Sequence, residues 1–239
     1  MRKIVNKPEW KSFVFYGLLL IPTFFLCYGN NFVFFVVLIA MLLTSVIEIP
    51  VYAFRTKKPE YSANEAKCMG ELYGVPVLEE MQSNSKMSYT TRITLNLGGF
   101  IIPLLFSFYL IFSFCQEGSC PLPLLELSMC TFLIVLFTYM LSVVKGGVGI
   151  LVPNYVGIFA IPLGFVLAPS GLPIEAVAGL LIFVPAILGI IVGMLILLVS
   201  RSIEEVGSAF YNLGGIGSFH TIYLISLLAL LIGAISVCS

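Results

Sequence analysis

Residues 174–199 read IEAVAGLLIFVPAILGIIVGMLILLV, with one charged residue, Glu175, in the first turn and none after it. About 20 apolar residues are enough for a helix to cross the ~30 Å hydrocarbon core of a bilayer, and this run exceeds that length. Working outward, apolar runs recur near residues 12–28, 32–54, 93–114, 124–144, 150–168 and 218–238. The whole chain agrees with them: only 10% of its residues are charged, where a soluble domain carries about 25%. The expected fold is all-α, a polytopic transmembrane helix bundle of seven spans.

The basic residues suggest an orientation, because Lys and Arg are retained on the cytoplasmic side of short loops. With the N terminus cytoplasmic and the C terminus outside, all 12 bases fall on one side. Arg2, Lys3, Lys7 and Lys11 precede the first run, Arg55, Lys57, Lys58, Lys67, Lys86 and Arg92 follow the second, and Lys145 and Arg201 follow the fourth and sixth. The alternative is six spans, with the fifth run, broken by Pro162 and Gly164, as a re-entrant element. The first run lacks the small residues of a signal-peptide cleavage site, so the first two runs read as an uncleaved helical hairpin. We expect one membrane domain over 1–239, a multi-pass protein of the cell membrane, with residues 55–92 as a cytosolic loop. Within that loop Ala63–Tyr73 reads as a short amphipathic helix capped by Asn64, and Val75–Met81 as extended. The loop is too short to hold a core of its own.

Composition also excludes chemistry. All 12 acids are Glu and the sequence contains no Asp; it has a single His, His220, and six Cys without metal-ligand spacing. A zinc site has no ligand set, so no metal and no cofactor are expected. The sequence has neither a Walker loop nor a basic groove with interleaved aromatics, which argues against nucleotide-driven pumping and nucleic-acid binding. Cys115 and Cys120 flank a short outer loop and either form a disulfide or remain two thiols.

A few polar groups stand out in the apolar background. Glu48 falls inside the second run, just before Ile49 and Pro50. A carboxylate there must face a partner or a water-filled cavity, carry a raised pKa, or snorkel to the interface. Asn96-Leu-Gly98-Gly99 and Asn212-Leu-Gly214-Gly215 echo one another. In each the glycine pair permits close backbone approach and Asn both donates and accepts, so the two could meet across a packed interface. Gly217, Ser218 and His220 open the last run, where His220 is either a proton relay or a buried imidazole bonded to a neighbouring carbonyl. Gly189 and Gly193 form a small-xxx-small step suited to helix packing. Pro22, Pro50, Pro103, Pro162 and Pro185 each interrupt a run, and freed carbonyls in broken helices occur at transporter sites.

The runs Asn212-Leu-Gly-Gly-Ile-Gly-Ser-Phe-His-Thr-Ile-Tyr223, Asn96-Leu-Gly-Gly-Phe-Ile-Ile-Pro-Leu-Leu-Phe-Ser-Phe-Tyr109 and Glu71-Leu-Tyr-Gly-Val-Pro-Val77 resemble a family of uncharacterised archaeal and bacterial multi-spanning membrane proteins. The resemblance covers most of the chain from Glu48 onward. That family has a Gly-Gly-x-Gly-Thr-Phe-Asp-like start to its last helix and an Asp in the penultimate one. The layout looks like that of presenilin-type intramembrane aspartyl proteases. Here His220 stands at the motif's Asp position, and the penultimate Asp would fall near Met194. Aspartyl proteolysis needs two carboxylates sharing a proton, so the resemblance implies a member without that activity.

Two functional expectations follow. The first is a small transporter or channel-like permease with a polar site made by Glu48, Asn96, Asn212, Ser218 and His220, acting on a small solute or ion. The second is a non-catalytic scaffold or substrate-binding relative of the intramembrane proteases, holding a membrane peptide in a groove lined by Gly193, Gly217 and His220. Neither assigns a catalytic residue. The lipid bilayer is the one partner the sequence requires, and the oligomeric state stays open.

Overall fold

The structure, a computed structural model, describes residues 10–26, 32–57, 64, 67, 88–117, 122–145, 149–200 and 210–235. Helix α1 (Trp10–Leu26) and helix α2 (Phe32–Thr44) come first. At the end of α2 the Thr44 and Ser45 hydroxyls bond back to Ala40 O and Leu42 O at 2.6 and 2.7 Å. Such local bonds compete with the helical ladder, and Pro50 lies just beyond. The chain then becomes extended as β1 (Glu48–Lys57), which pairs antiparallel with β2 (Ser88–Asn96). The register shifts between Pro50 and Tyr52, and β1 is an edge strand among the described strands, a position that tolerates proline and a bulge.

A π-helical turn, Leu97–Ile101, leads into α3 (Ile102–Glu117), followed by α4 (Leu124–Leu141). Short strands β3 (Val143–Lys145) and β4 (Gly149–Leu151) pair with each other. The helices α5 (Asn154–Ile158) and α6 (Ala160–Leu167) come next. After α7 (Ile174–Ala176), a second π-helical turn, Val177–Phe183, continues into α8 (Val184–Ser200). Pro103 and Pro185 stand just past the two π-helical turns. Each lacks the amide that would close the regular i−4 bond, which favours the wider turn before it. Strand β5 (Phe210–Leu213) lies parallel to β2, and α9 (Phe219–Ile235) closes the described chain.

The core centres on Ile174–Ser200, of whose apolar window 67% is buried inside the molecule, against 33% for Leu97–Gln116 and 22% for Leu124–Leu141. The latter two therefore turn most of their apolar surface outward. Phe34, Phe106 and Phe183 meet edge to face at ring-centroid distances of 4.9–5.5 Å, tying α2 and α3 to the second π turn. The close approach of α8 to α4 depends on glycine. A Cβ at Gly189 would stand 2.6 Å from Ile134 Cβ, and one at Gly193 would stand 2.5 Å from Thr138 Cβ.

The seven-span, all-α expectation needs correction. Among the described residues three helices are long and apolar enough to cross a membrane: Leu97–Gln116, Leu124–Leu141 and Ile174–Ser200. Apolar helices Phe13–Phe25, Phe32–Thr44, Asn154–Leu167 and Phe219–Ala234 are shorter. Hydropathy alone hid the reason, because the apolar stretch from Glu48 to Phe54 belongs to a strand and the helix before it ends at Thr44. The run from Ile150 breaks at Pro153 and again near Phe159. The molecule is mainly helical with a small three-stranded sheet, ordered β1-β2-β5. The N-inside, C-outside assignment rested on the seven-span count and falls with it. Of the expected helix Ala63–Tyr73, Asn64 and Lys67 are described and are helical; the rest of it, the extended Val75–Met81 and most of the loop 55–92 lie outside the described residues.

Candidate functional site

Strand register assembles the site. Glu48 pairs with Asn96 across β1–β2, Pro50 with Thr94, and Thr94 with Asn212 across β2–β5. Side chains alternate along a strand while paired residues share a face, so Glu48, Thr94, Asn96 and Asn212 stand on one side of the sheet. Ile93, Leu95, Tyr211 and Leu213 occupy the other. The apolar face packs into the core, where Tyr211 and Leu213 are buried.

The two echoing Asn-Leu-Gly-Gly segments do meet, but their asparagines differ in what they do. Asn96 is fully engaged: its Oδ1 accepts from Gly99 N at 2.8 Å and its Nδ2 donates to Ser45 O at 2.5 Å. It thereby caps the π turn and ties it to the end of α2. Asn212 Nδ2 donates to Glu48 Oε1, yet its Oδ1 is buried with no hydrogen-bond partner, as is Thr94 Oγ1. Most buried polar atoms are paired, so two unsatisfied oxygens beside one carboxylate single out this cluster. Burial raises the Glu48 pKa, opposed by the Asn212 hydrogen bond and by the nearby Thr94 hydroxyl. The Thr94 hydroxyl therefore lies within reach of the Glu48 carboxyl, although it meets the full geometry of a hydrogen bond with no atom.

Glycine makes the junction. A Cβ at Gly98 would lie 2.1 Å from Met41 O, and one at Gly99 would lie 1.8 Å from Gly214 O. Gly214 has φ +80, and its own Cβ would meet Gly99 C at 2.5 Å. Gly215 presses on the Asn212 amide, 2.2 Å from Nδ2 to where a Cβ would stand. The backbones at the start of α3 and the approach to α9 thus cross in direct contact beside the polar cluster.

Ser218 and His220 stand at the start of α9. Ser218 N donates to Gly215 O at 3.0 Å, and Ser218 O accepts from Ile222 N at 3.1 Å, which is the work of a turn at a helix start. His220 Nδ1 and the Tyr16 hydroxyl are 3.1 Å apart, so His220 links α9 to α1. Gly217 O accepts from Val152 N at 2.7 Å, and a Cβ on Gly217 would strike Ile150 O at 2.7 Å. Gly193 is filled by Thr138 of α4, and Gly217 by the β4 backbone. A Cβ at each of these two glycines would therefore meet a different element. Cys115 is exposed near the end of α3, while Cys120 and any bridge to it lie outside the described residues.

Sequence reasoning missed Thr94 and Tyr16. The alternation Ser88-Tyr-Thr-Thr-Arg-Ile-Thr-Leu-Asn96, rich in β-branched residues, is a strand signal and would have placed Thr94 on the face of Asn96. Nothing local marks Tyr16. Among the described residues no group of three or more His, Cys, Asp or Glu could hold a metal ion.

Long apolar helices with outward-facing Leu, Phe and Val side chains define an integral, multi-pass membrane protein. The chain belongs to the DUF1614 family, described as a protein of unknown function, whose family model matches residues 42–232. No curated protein and no solved structure matches the chain. The family match takes in Glu48, Thr94, Asn96, Asn212 and His220, whereas Tyr16 precedes it.

Proposed function

We propose that this membrane protein is a small permease or channel-like carrier whose polar passage opens at the Glu48–Asn212 pair. One observation carries the reading. A carboxylate and an amide 164 residues apart in sequence are hydrogen-bonded on strand backbone, at the place where α2 has ended and α3 and α9 have yet to begin. Interrupted helices whose unwound backbone surrounds a polar group are how many transporters place a solute or ion site within an apolar bundle. A half-buried carboxylate must be neutralised by a donor, a proton or a cation. Its state therefore responds to what occupies the passage. Asn96 supports the site by holding the π turn, and His220 pairs with Tyr16 of α1.

The test is flux. The full chain is reconstituted into liposomes carrying a pH-sensitive dye, and gradients of H+, Na+, K+ and a panel of small neutral solutes are imposed in turn. The wild type should pass at least one of them above protein-free vesicles. Glu48→Gln should reduce that flux to the protein-free level, while His220→Ala retains it. Equal flux in the wild type and Glu48→Gln, or none across the panel, contradicts the proposal.

A further inference from the structure

Thr94 Oγ1 and Asn212 Oδ1 are buried oxygens without a hydrogen-bond partner, on residues 3% and 0% exposed. Both stand beside Glu48, since Thr94 pairs with Asn212 on one side and with Pro50, two residues from Glu48, on the other. Three strands thus bring three hard oxygen donors to one face: a carboxylate, a hydroxyl and an amide. We propose that Glu48, Thr94 and Asn212 bind one monovalent alkali cation. The proposal rests on the permease reading for the role of the ion, but its chemistry stands on the cluster alone.

Ligand type and charge narrow the occupant. The cluster supplies oxygen without sulfur or imidazole, which suits hard cations over transition metals. It contains one carboxylate, so one positive charge neutralises it, and a divalent ion would leave a net charge away from bulk water. Asn96, although adjacent, is not a ligand because both ends of its amide are already bonded. Asn212 has the opposite character, with one end used and one spare. Its amide can turn about the Cβ–Cγ bond, exchanging the Nδ2 that now faces Glu48 for the Oδ1 that would face an ion, since the two ends are close in shape and are distinguished by their partners. Gly215 packs directly on that amide, and a Cβ there would stand 2.4 Å from Oδ1. A side chain at position 215 would collide with the amide at either end.

The experiment uses the purified full chain in detergent micelles prepared in choline chloride. Thermal unfolding is followed as NaCl, KCl or CaCl2 replaces choline at constant ionic strength. Saturable stabilisation by NaCl or KCl is expected, stronger than that by CaCl2, and the two alkali ions identify which size fits. Thr94→Val, a β-branched replacement suited to the strand, should weaken the apparent affinity about tenfold, the equivalent of ~1.4 kcal/mol. Thr94→Ser should restore it. A fold that is merely damaged by the substitution would lower the melting temperature in choline as well, whereas lost ligation removes only the ion-dependent increment. Identical unfolding in choline, NaCl and KCl, a preference for CaCl2, or an undiminished increment in Thr94→Val overturns the proposal. Flux of a neutral solute that depends on Glu48 without any cation effect would overturn the ion site and leave the permease standing. Cation binding without flux of any probe would do the reverse.

Discussion

Gly99→Ala and Gly214→Ala are each expected to destabilise the protein by about 3 kcal/mol or more, by overpacking at both positions and by backbone strain as well at Gly214. The cause is a crossing of main chains. The atom met by a Gly99 Cβ is Gly214 O at 1.8 Å, and the atoms met by a Gly214 Cβ are Gly99 C and O at 2.5 and 2.6 Å. A flexible side chain could swing away from such a contact, but these are backbone atoms fixed by β2, β5 and the π turn. Gly214 adds a second penalty, since its φ of +80 lies in a region that side-chain-bearing residues occupy at a cost. The control is Gly17→Ala, where nothing lies within 4 Å of the added methyl and helix propensity should improve by roughly 0.5–1 kcal/mol. Unfolding in detergent, read by melting temperature and by the yield of monodisperse protein, checks all three. Near-native stability of both Gly99→Ala and Gly214→Ala would mean that the two segments do not cross as described.

The second large effect concerns the pair itself. Asn212→Leu removes the donor to a half-buried carboxyl group, and leaving such a group without its hydrogen-bond partner typically costs ~1–3 kcal/mol. Pairing that substitution with Glu48→Met should recover most of the loss, because two apolar side chains of similar size replace a polar pair whose burial was itself unfavourable. Flux should not recover. Stability regained without flux would separate the pair's role in passage from any role in holding the fold. If Glu48→Met/Asn212→Leu is as unstable as Asn212→Leu alone, the two side chains are not energetically coupled and the site dissolves.

How much of this was legible in the sequence depends on the element. The apolar run from Ile174 declared a central membrane helix, and it is the most buried of the three long helices. Glu48, Asn96 and Asn212 stood out because each is a strongly polar group in apolar surroundings, and strand register brings them to one face. His220 was equally conspicuous by type, yet it bonds to Tyr16, a contact between helices at opposite ends of the chain that no local pattern encodes. The strands were hidden because hydropathy records burial and is blind to the difference between a period of 2 and one of 3.6. Ile49-Pro-Val-Tyr-Ala-Phe54 therefore passed as the end of a helix, although its β-branched and aromatic residues favour extended backbone. The difference between the two asparagines was beyond reach of sequence, since both open the same Asn-Leu-Gly-Gly string. Only the partners of each amide distinguish the cap at Asn96 from the half-used group at Asn212.

The claim that Glu48 is the working group of a passage can be tested directly with a hydrophobic carbodiimide, which modifies protonated carboxyls in apolar surroundings. Burial holds the Glu48 pKa above its ordinary value, favouring reaction there over carboxyls that face water. Proteoliposomes are treated, the modified residue is located by peptide mass spectrometry, and flux is measured on the same sample. The account predicts modification at Glu48 and a loss of flux that tracks its extent. Flux that persists after Glu48 is fully modified would contradict it.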